Sequence, residues 1–255
     1  MLHGDITGFS LPFATLKLKI RKKEISMMRI ATLNIRDRWI QVIVSFSMLV
    51  VLVTPWIMVH GQSDEVQRVE IRDYQGERLG SVEDFRENSI RGVQTIDPET
   101  YLLAVDGLVE QTQSFTYATL QEMPHAKKLV TIHCVEGWSV TALWEGIALS
   151  VLFEQVQPNA EAKTVIFYAH DGYSTSLPLN EVLERDLIIA DRINEITLPP
   201  ERGFPFQLVA EDKWGYKWIK WIGRIELSND PDYRGFWESR GYSNKGDVSG
   251  PMFGD

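Results

Sequence analysis

The sequence predicts an α+β domain built on mixed or antiparallel sheets, preceded by a single apolar helix of membrane-crossing length. Three observations lead there. Residues 39–61 contain no Asp, Glu, Lys or Arg. Downstream, short β-rich runs such as Lys128–His133 and Thr164–Ala169 are bounded by turn residues. Helical patterns fall between these runs irregularly, without the strand–helix alternation that builds a parallel α/β sheet.

The N-terminal elements come first. Residues 1–38 carry eight Lys/Arg against three acids, a net +5, within a chain whose total is −9, so the remainder holds −14. The 23 residues of segment 39–61 suffice to span about 30 Å of hydrocarbon as a helix. Basic residues before it, and Asp64 and Glu65 after it, place the N-terminus in the cytoplasm and residues 62–255 outside. Two readings of the segment stand: an uncleaved anchor, or a signal peptide cut after Gly61. Met27 or Met28 offers an alternative start to the same export pattern. Residues 62–94 read as a polar linker with a peripheral strand near Val69–Tyr74, and 95–255 as the main domain.

Within the body, Tyr101–Val109 reads as two strand halves around an Asp106-Gly107 turn. Ser114–Met123 reads as a short helix ending before Pro124. Lys128–His133 is a strand that delivers Cys134. Trp144, Ile147, Ala148, Val151 and Leu152 fall at helical spacing. Thr164–Ala169 is a buried strand leading into a His170-Asp171-Gly172-Tyr173 turn. Pro178–Arg185 starts a helix, Arg202–Pro205 is a loop and Phe206–Ala210 a strand. Glu211–Gly215 is a turn before a long strand over Tyr216–Leu227. In that strand Ile219, Trp221, Ile225 and Leu227 share a face opposite Lys220, Arg224 and Glu226.

Composition excludes several functions. An acidic body lacks the clustered cations that nucleic-acid phosphates require. One cysteine forbids an intrachain disulfide, a multi-cysteine metal site and a C-x-x-C-H haem motif. That one thiol, Cys134, has three readings. It is a small buried hydrophobe, a nucleophile with His133 or His170 as base, or a single thiolate on a soft metal whose other ligands come from a cofactor. His133 is badly placed as a base, because adjacent residues of a strand face opposite ways.

The stretches "HCVEGWSVTALWEGIALSVLF", "YAHDGYSTSLPL", "GFPFQLVAEDKWGYKWIKWIGRIEL" and "FWESRGYSN" occur in the order and spacing of the sulfite-oxidase-like molybdopterin-binding domain. The chain resembles that family over roughly residues 95–245, on the methionine-sulfoxide-reductase side rather than the sulfite-oxidizing side. The resemblance implies molybdenum–molybdopterin as cofactor, with Cys134 as the metal's protein ligand and as the catalytic residue. Molybdenum, cycling between VI and IV, supplies the two-electron oxygen-atom chemistry that side chains cannot. The resemblance also implies that Gly215, Tyr216 and Lys217 belong to a loop around the pterin phosphate, with Lys220 a second cation and Arg202 a further cofactor contact.

One departure bears on substrate. Where the family's G-x-P-x-R stretch places an arginine, this chain has Gln207, which keeps hydrogen bonding and loses a fixed charge. With Glu136 close to the metal, the expected substrate is small and neutral, a sulfoxide or N-oxide, rather than sulfite. The leading expectation is an exported oxidoreductase that exchanges electrons with a membrane or periplasmic partner. The other is a non-catalytic module of the same fold, without metal.

Overall fold

Strand-forming residues dominate residues 69–254, the part of the chain that the computed structural model describes. The basic segment 1–38, the apolar span 39–61 and the start of the 62–94 segment lie outside the described residues. Among the described residues no helix is long and apolar enough to cross a membrane.

The elements are short. A two-residue hairpin, β1 (Asp73–Tyr74) with β2 (Glu77–Arg78), turns through Gln75 and Gly76, both at positive φ. Then come β3 (Leu102–Gly107), β4 (Gln113–Thr116), α1 (Tyr117–Gln121), β5 (His125–His133), β6 (Ser139–Ala148) and α2 (Leu149–Val156). The remainder is β7 (Thr164–Ala169), β8 (Ser174–Pro178), α3 (Leu179–Glu184), β9 (Ile188–Ile193), β10 (Ile196–Thr197), β11 (Gln207–Val209) and β12 (Ile222–Ser228).

They build two five-stranded sheets. One runs β10-β9-β6-β5, with β11 also on β9, and is antiparallel throughout. The other runs β4-β3-β12-β7-β8 and is mixed, because β3 and β12 pair in parallel. One apolar cluster draws on both, with Leu103, Phe167 and Ile225 from the mixed sheet and Ile132, Trp144 and Ile189 from the antiparallel one. The Tyr101 hydroxyl donates 2.6 Å to the Ile222 carbonyl, closing the entry to β3 against β12. Asn194 joins the antiparallel sheet to the chain's first described residues. Its Oδ1 accepts from the Leu143 amide, and its Nδ2 donates to Glu70 and to the Gly80 carbonyl.

The α+β class and the mixed sheets agree with the sequence reading, and β7 and α3 fall where expected. Four elements do not. Trp144, Ile147 and Ala148 lie in strand β6, and only residues 149–156 are helical. β6 runs between β5 and β9 and is buried on both faces, so its apolar run mimics a helix. The expected strand over Tyr216–Leu227 starts only at Ile222, because Gly215–Lys217 is a 3₁₀ turn and Trp221 has φ +54°. Ser114–Thr116 belongs to β4, leaving five residues of helix. Asp106 is paired within β3 rather than lying in a turn, and Gly107 ends that strand.

Gly146 sits where β6 and β9 approach most closely. A methyl group there would lie 2.1 Å from the Ile189 carbonyl oxygen. Gly146→Ala is expected to cost about 1–3 kcal/mol through forced backbone displacement, measured as a lower midpoint in urea unfolding.

Candidate functional site

The edge strand β5 ends at His133, which bridges to Trp214 on its free side. The chain then turns through residues 134–138. The Cys134 amide donates to the Trp138 carbonyl and the Gly137 amide to the Cys134 carbonyl, with Gly137 at φ +85°. Strand alternation places Ile132 and Cys134 on one face and His133 on the other. Both Ile132 and Cys134 open onto a cavity of about 350 Å³. Neither His133 nor His170 lines it, so the structure brings no imidazole to the thiol there. Burial pushes the Cys134 thiol up and the Glu136 charge adds to this, while the Glu136 and Val135 backbone and the Arg86 charge oppose it.

Beside the thiol lies the turn Trp214–Lys217. A methyl group on Gly215 would sit 3.3 Å from the His133 carbonyl oxygen and 3.4 Å from the Cys134 Cα. A side chain there would make the turn stand a few tenths of an ångström off the strand end. Tyr216 lines the cavity and its hydroxyl donates to the Ser243 carbonyl. Lys217 does not line it. Its side chain is fully buried and its Nζ lies 2.6 Å from Glu238 and 3.0 Å from the Ser176 carbonyl. The expected phosphate cation is instead half of an internal ion pair that fixes the turn.

The other expected residues converge on the same cavity. Arg202 ends a 3₁₀ turn, and Gly203 follows at φ +104°, where any side chain would collide with Lys220. Arg202 is 6% exposed and its guanidinium lies 5.1 Å from the Phe85 ring centre. Among the described residues no carboxylate or carbonyl accepts from that guanidinium. The group lines the cavity, so an acceptor entering there would meet donors that the described residues leave open. Burial lowers the Arg202 pKa, with Glu87 opposing. Gln207, on β11, is similar: its Nε2 reaches the Trp218 carbonyl at 3.4 Å, while its buried Oε1 has no partner among the described residues. Lys220 lies 3.1 Å from Glu87 and 4.2 Å from the Trp221 ring centre, and burial brings its pKa down to about 8.

Two contributions escaped the sequence reading. Arg86, Asn88, Ser89 and Ile90, assigned to the linker, line the cavity, and Phe85 is buried against Trp138 and Trp144. No periodic or motif signal marks this irregular stretch. Trp237 and Tyr242, from the FWESRGYSN stretch, form another wall. From the His170–Tyr173 turn only Asp171 and Tyr173 face the cavity.

The donor set fits a phosphorylated organic cofactor carrying a metal. Cys134 offers one thiolate, Arg202 and Gln207 offer unsatisfied hydrogen-bonding groups, and aromatic walls suit a flat ring system. Among the described residues no group of three or more His, Cys, Asp or Glu converges as a metal site. A metal at Cys134 must therefore bring its other ligands with it.

Known proteins match in the same region. The model of the family described as "Oxidoreductase molybdopterin binding domain" matches residues 90–237. "Uncharacterized oxidoreductase YuiH" of Bacillus subtilis (strain 168) is 32% identical over 152 residues, covering 59% of this chain and 76% of that one. "Protein-methionine-sulfoxide reductase catalytic subunit MsrP" of Campylobacter jejuni is 26% identical over 170 residues, covering 60% of this chain and 57% of that protein. Among solved structures, the sulfane dehydrogenase SoxCD of Paracoccus pantotrophus superposes with a TM-score of 0.53 at 23% identity. That match covers 55% of this chain and 41% of that one, a likeness of fold.

Removing Glu238 leaves the Lys217 ammonium buried without its countercharge. Glu238→Ala is expected to cost about 3–5 kcal/mol, and the paired change K217M/E238L to recover most of it. Urea unfolding of the three proteins checks this.

Proposed function

This chain belongs to the oxidoreductase molybdopterin binding domain family, and from that premise we propose that it binds molybdenum–molybdopterin through Cys134 and reduces a small neutral sulfoxide. The observation that carries the reading is the Arg202 guanidinium, facing the cavity that holds the chain's one thiol and without a protein acceptor among the described residues. A bound anionic cofactor would supply the missing acceptor.

When bound, the group supplies two-electron oxygen-atom chemistry. The chain's residues supply the rest. Cys134 would give the metal a thiolate, with the Arg86 charge favouring loss of its proton. Arg202 and Lys220 would hold the anionic end of the cofactor by charge-assisted hydrogen bonds. Gln207 would meet a polar edge of the cofactor with its free oxygen, and the trapped glycine turn at 214–217 fixes the wall beside the thiol. Glu136, bonded to Asn88 and to the Trp138 indole at the cavity's side, disfavours anions. This and the neutral Gln207 support a sulfoxide over sulfite. The overall change is R₂SO plus two electrons and two protons to R₂S and water, with the electrons taken from a membrane or periplasmic partner. The charge pattern around residues 39–61 supports placing the domain outside the cytoplasm, anchored by that span or released after its cleavage.

Gln207 also leaves room for the second reading, a metal-free module. Elemental analysis separates the two. The protein made in a host that synthesises the cofactor is expected to carry about one molybdenum per chain. Cys134→Ser is expected to lose at least about a hundredfold in sulfoxide-dependent oxidation of a reduced viologen. Wild-type protein free of molybdenum, or a fully active C134S, would reject the proposal.

The pH dependence follows from Lys220. Its pKa near 8 keeps it charged at pH 7 and largely neutral at pH 9.5. Cofactor retention on gel filtration is therefore expected to fall as pH rises through 8. In Lys220→Gln it is expected to be weaker and flat across that range.

A further inference from the structure

The wall of the cavity formed by residues 86–90 belongs to a segment unlike the others. Residues 86–95 have no helix or strand and, among the described residues, make no backbone–backbone hydrogen bond. They run between a buried anchor, Phe85, and Ile96, which packs on the core just before buried Tyr101. Besides packing of the Arg91 guanidinium on Gly172, two polar side-chain contacts join the segment to the rest of the cavity. Glu87 meets Lys220 at 3.1 Å, and Asn88 donates to Glu136 at 3.1 Å. Among the described residues, the only other side-chain hydrogen bond it makes is internal, from Gln94 to the Gly92 carbonyl. Both joining contacts bridge the segment to residues of the cavity lining, and Cys134 beneath them is 8% exposed.

We propose that residues 86–95 form a hinged lid over Cys134, closed by the Glu87–Lys220 and Asn88–Glu136 latches. A segment without backbone ladders opens locally at little cost, so its closed state is set by such side-chain contacts. The lid answers a need created by the site. A cofactor gripped by buried groups requires a way in, and the other walls are strands, a trapped glycine turn and aromatic packing. Lys220 connects the two states: the ammonium that holds Glu87 in the closed lid is the one facing the cavity. An anion arriving there competes with Glu87 for it.

This rests on the reading that the cavity takes an anionic cofactor, but its test is read on cofactor-free full-length protein in detergent. The chain has one cysteine, so iodoacetamide reports Cys134 alone. E87Q/N88A is expected to be alkylated about tenfold faster than wild type at fixed pH. Trypsin is expected to cut faster after Arg86 and Arg91 in the variant. Wild-type hydrogen exchange gives a measurement that needs no variant: amides of 86–95 are expected to exchange far faster than those of β3. Equal alkylation and cutting in wild type and variant, or protected amides across 86–95, would overturn the lid. Absence of molybdenum in the wild type would instead reject the cofactor reading and leave the lid result standing.

Discussion

A lysine and a glutamate, both sealed from solvent, hold the cavity in shape. The Lys217–Glu238 pair, with Thr175 donating to the same carboxylate oxygen, ties the 214–217 turn to β8 and to the start of the C-terminal segment. That turn is what Cys134 packs against. Buried ion pairs add little net stability, since desolvation offsets their attraction. Their directional demand is strict, however, and a turn held by one has a narrow choice of positions. The Tyr173 hydroxyl on the Tyr216 carbonyl and the Tyr216 hydroxyl on the Ser243 carbonyl restrict the same loop from two further sides.

The cavity's electrostatics are uneven by construction. Lys213 and Lys217, deep in the wall, are matched by carboxylates at 2.6–2.8 Å. Arg202 has no such partner among the described residues, and Lys220 meets its carboxylate only through the exposed 86–95 segment. Two internal cations are committed to the fold and two are left for whatever enters. The acidic side chains around the cavity, Glu136 and Asp171, are engaged by Asn88, the Trp138 indole and the Tyr173 amide.

Much of this was legible in the residues. Strand β5 and the position of Cys134 followed from a β-rich run stopping at a turn, and β7 from a buried apolar run ending at His170-Asp171-Gly172. Arg202, Gln207, Gly215, Tyr216 and Lys220 meet at one cavity, as the motif order implied. The failures have physical causes. β6 is apolar on both sides, which hides a period of two. Lys217 is indistinguishable in sequence from a solvated cation, because its partner Glu238 is 21 residues away and no local pattern links them. The 86–90 wall has neither period nor turn signature, so composition alone assigns it to a linker.

The wall that closes the site comes from residues 237–247, at and beyond the end of the family match. Trp237 and Tyr242 face the cavity, Glu238 neutralises Lys217, and the Gly246 carbonyl accepts from the Trp214 amide while Asp247 binds Lys213. During translation, therefore, the thiol and its neighbouring turn are made well before the pocket is complete. A cofactor entering this cavity would have to wait until residues 237–247 have docked.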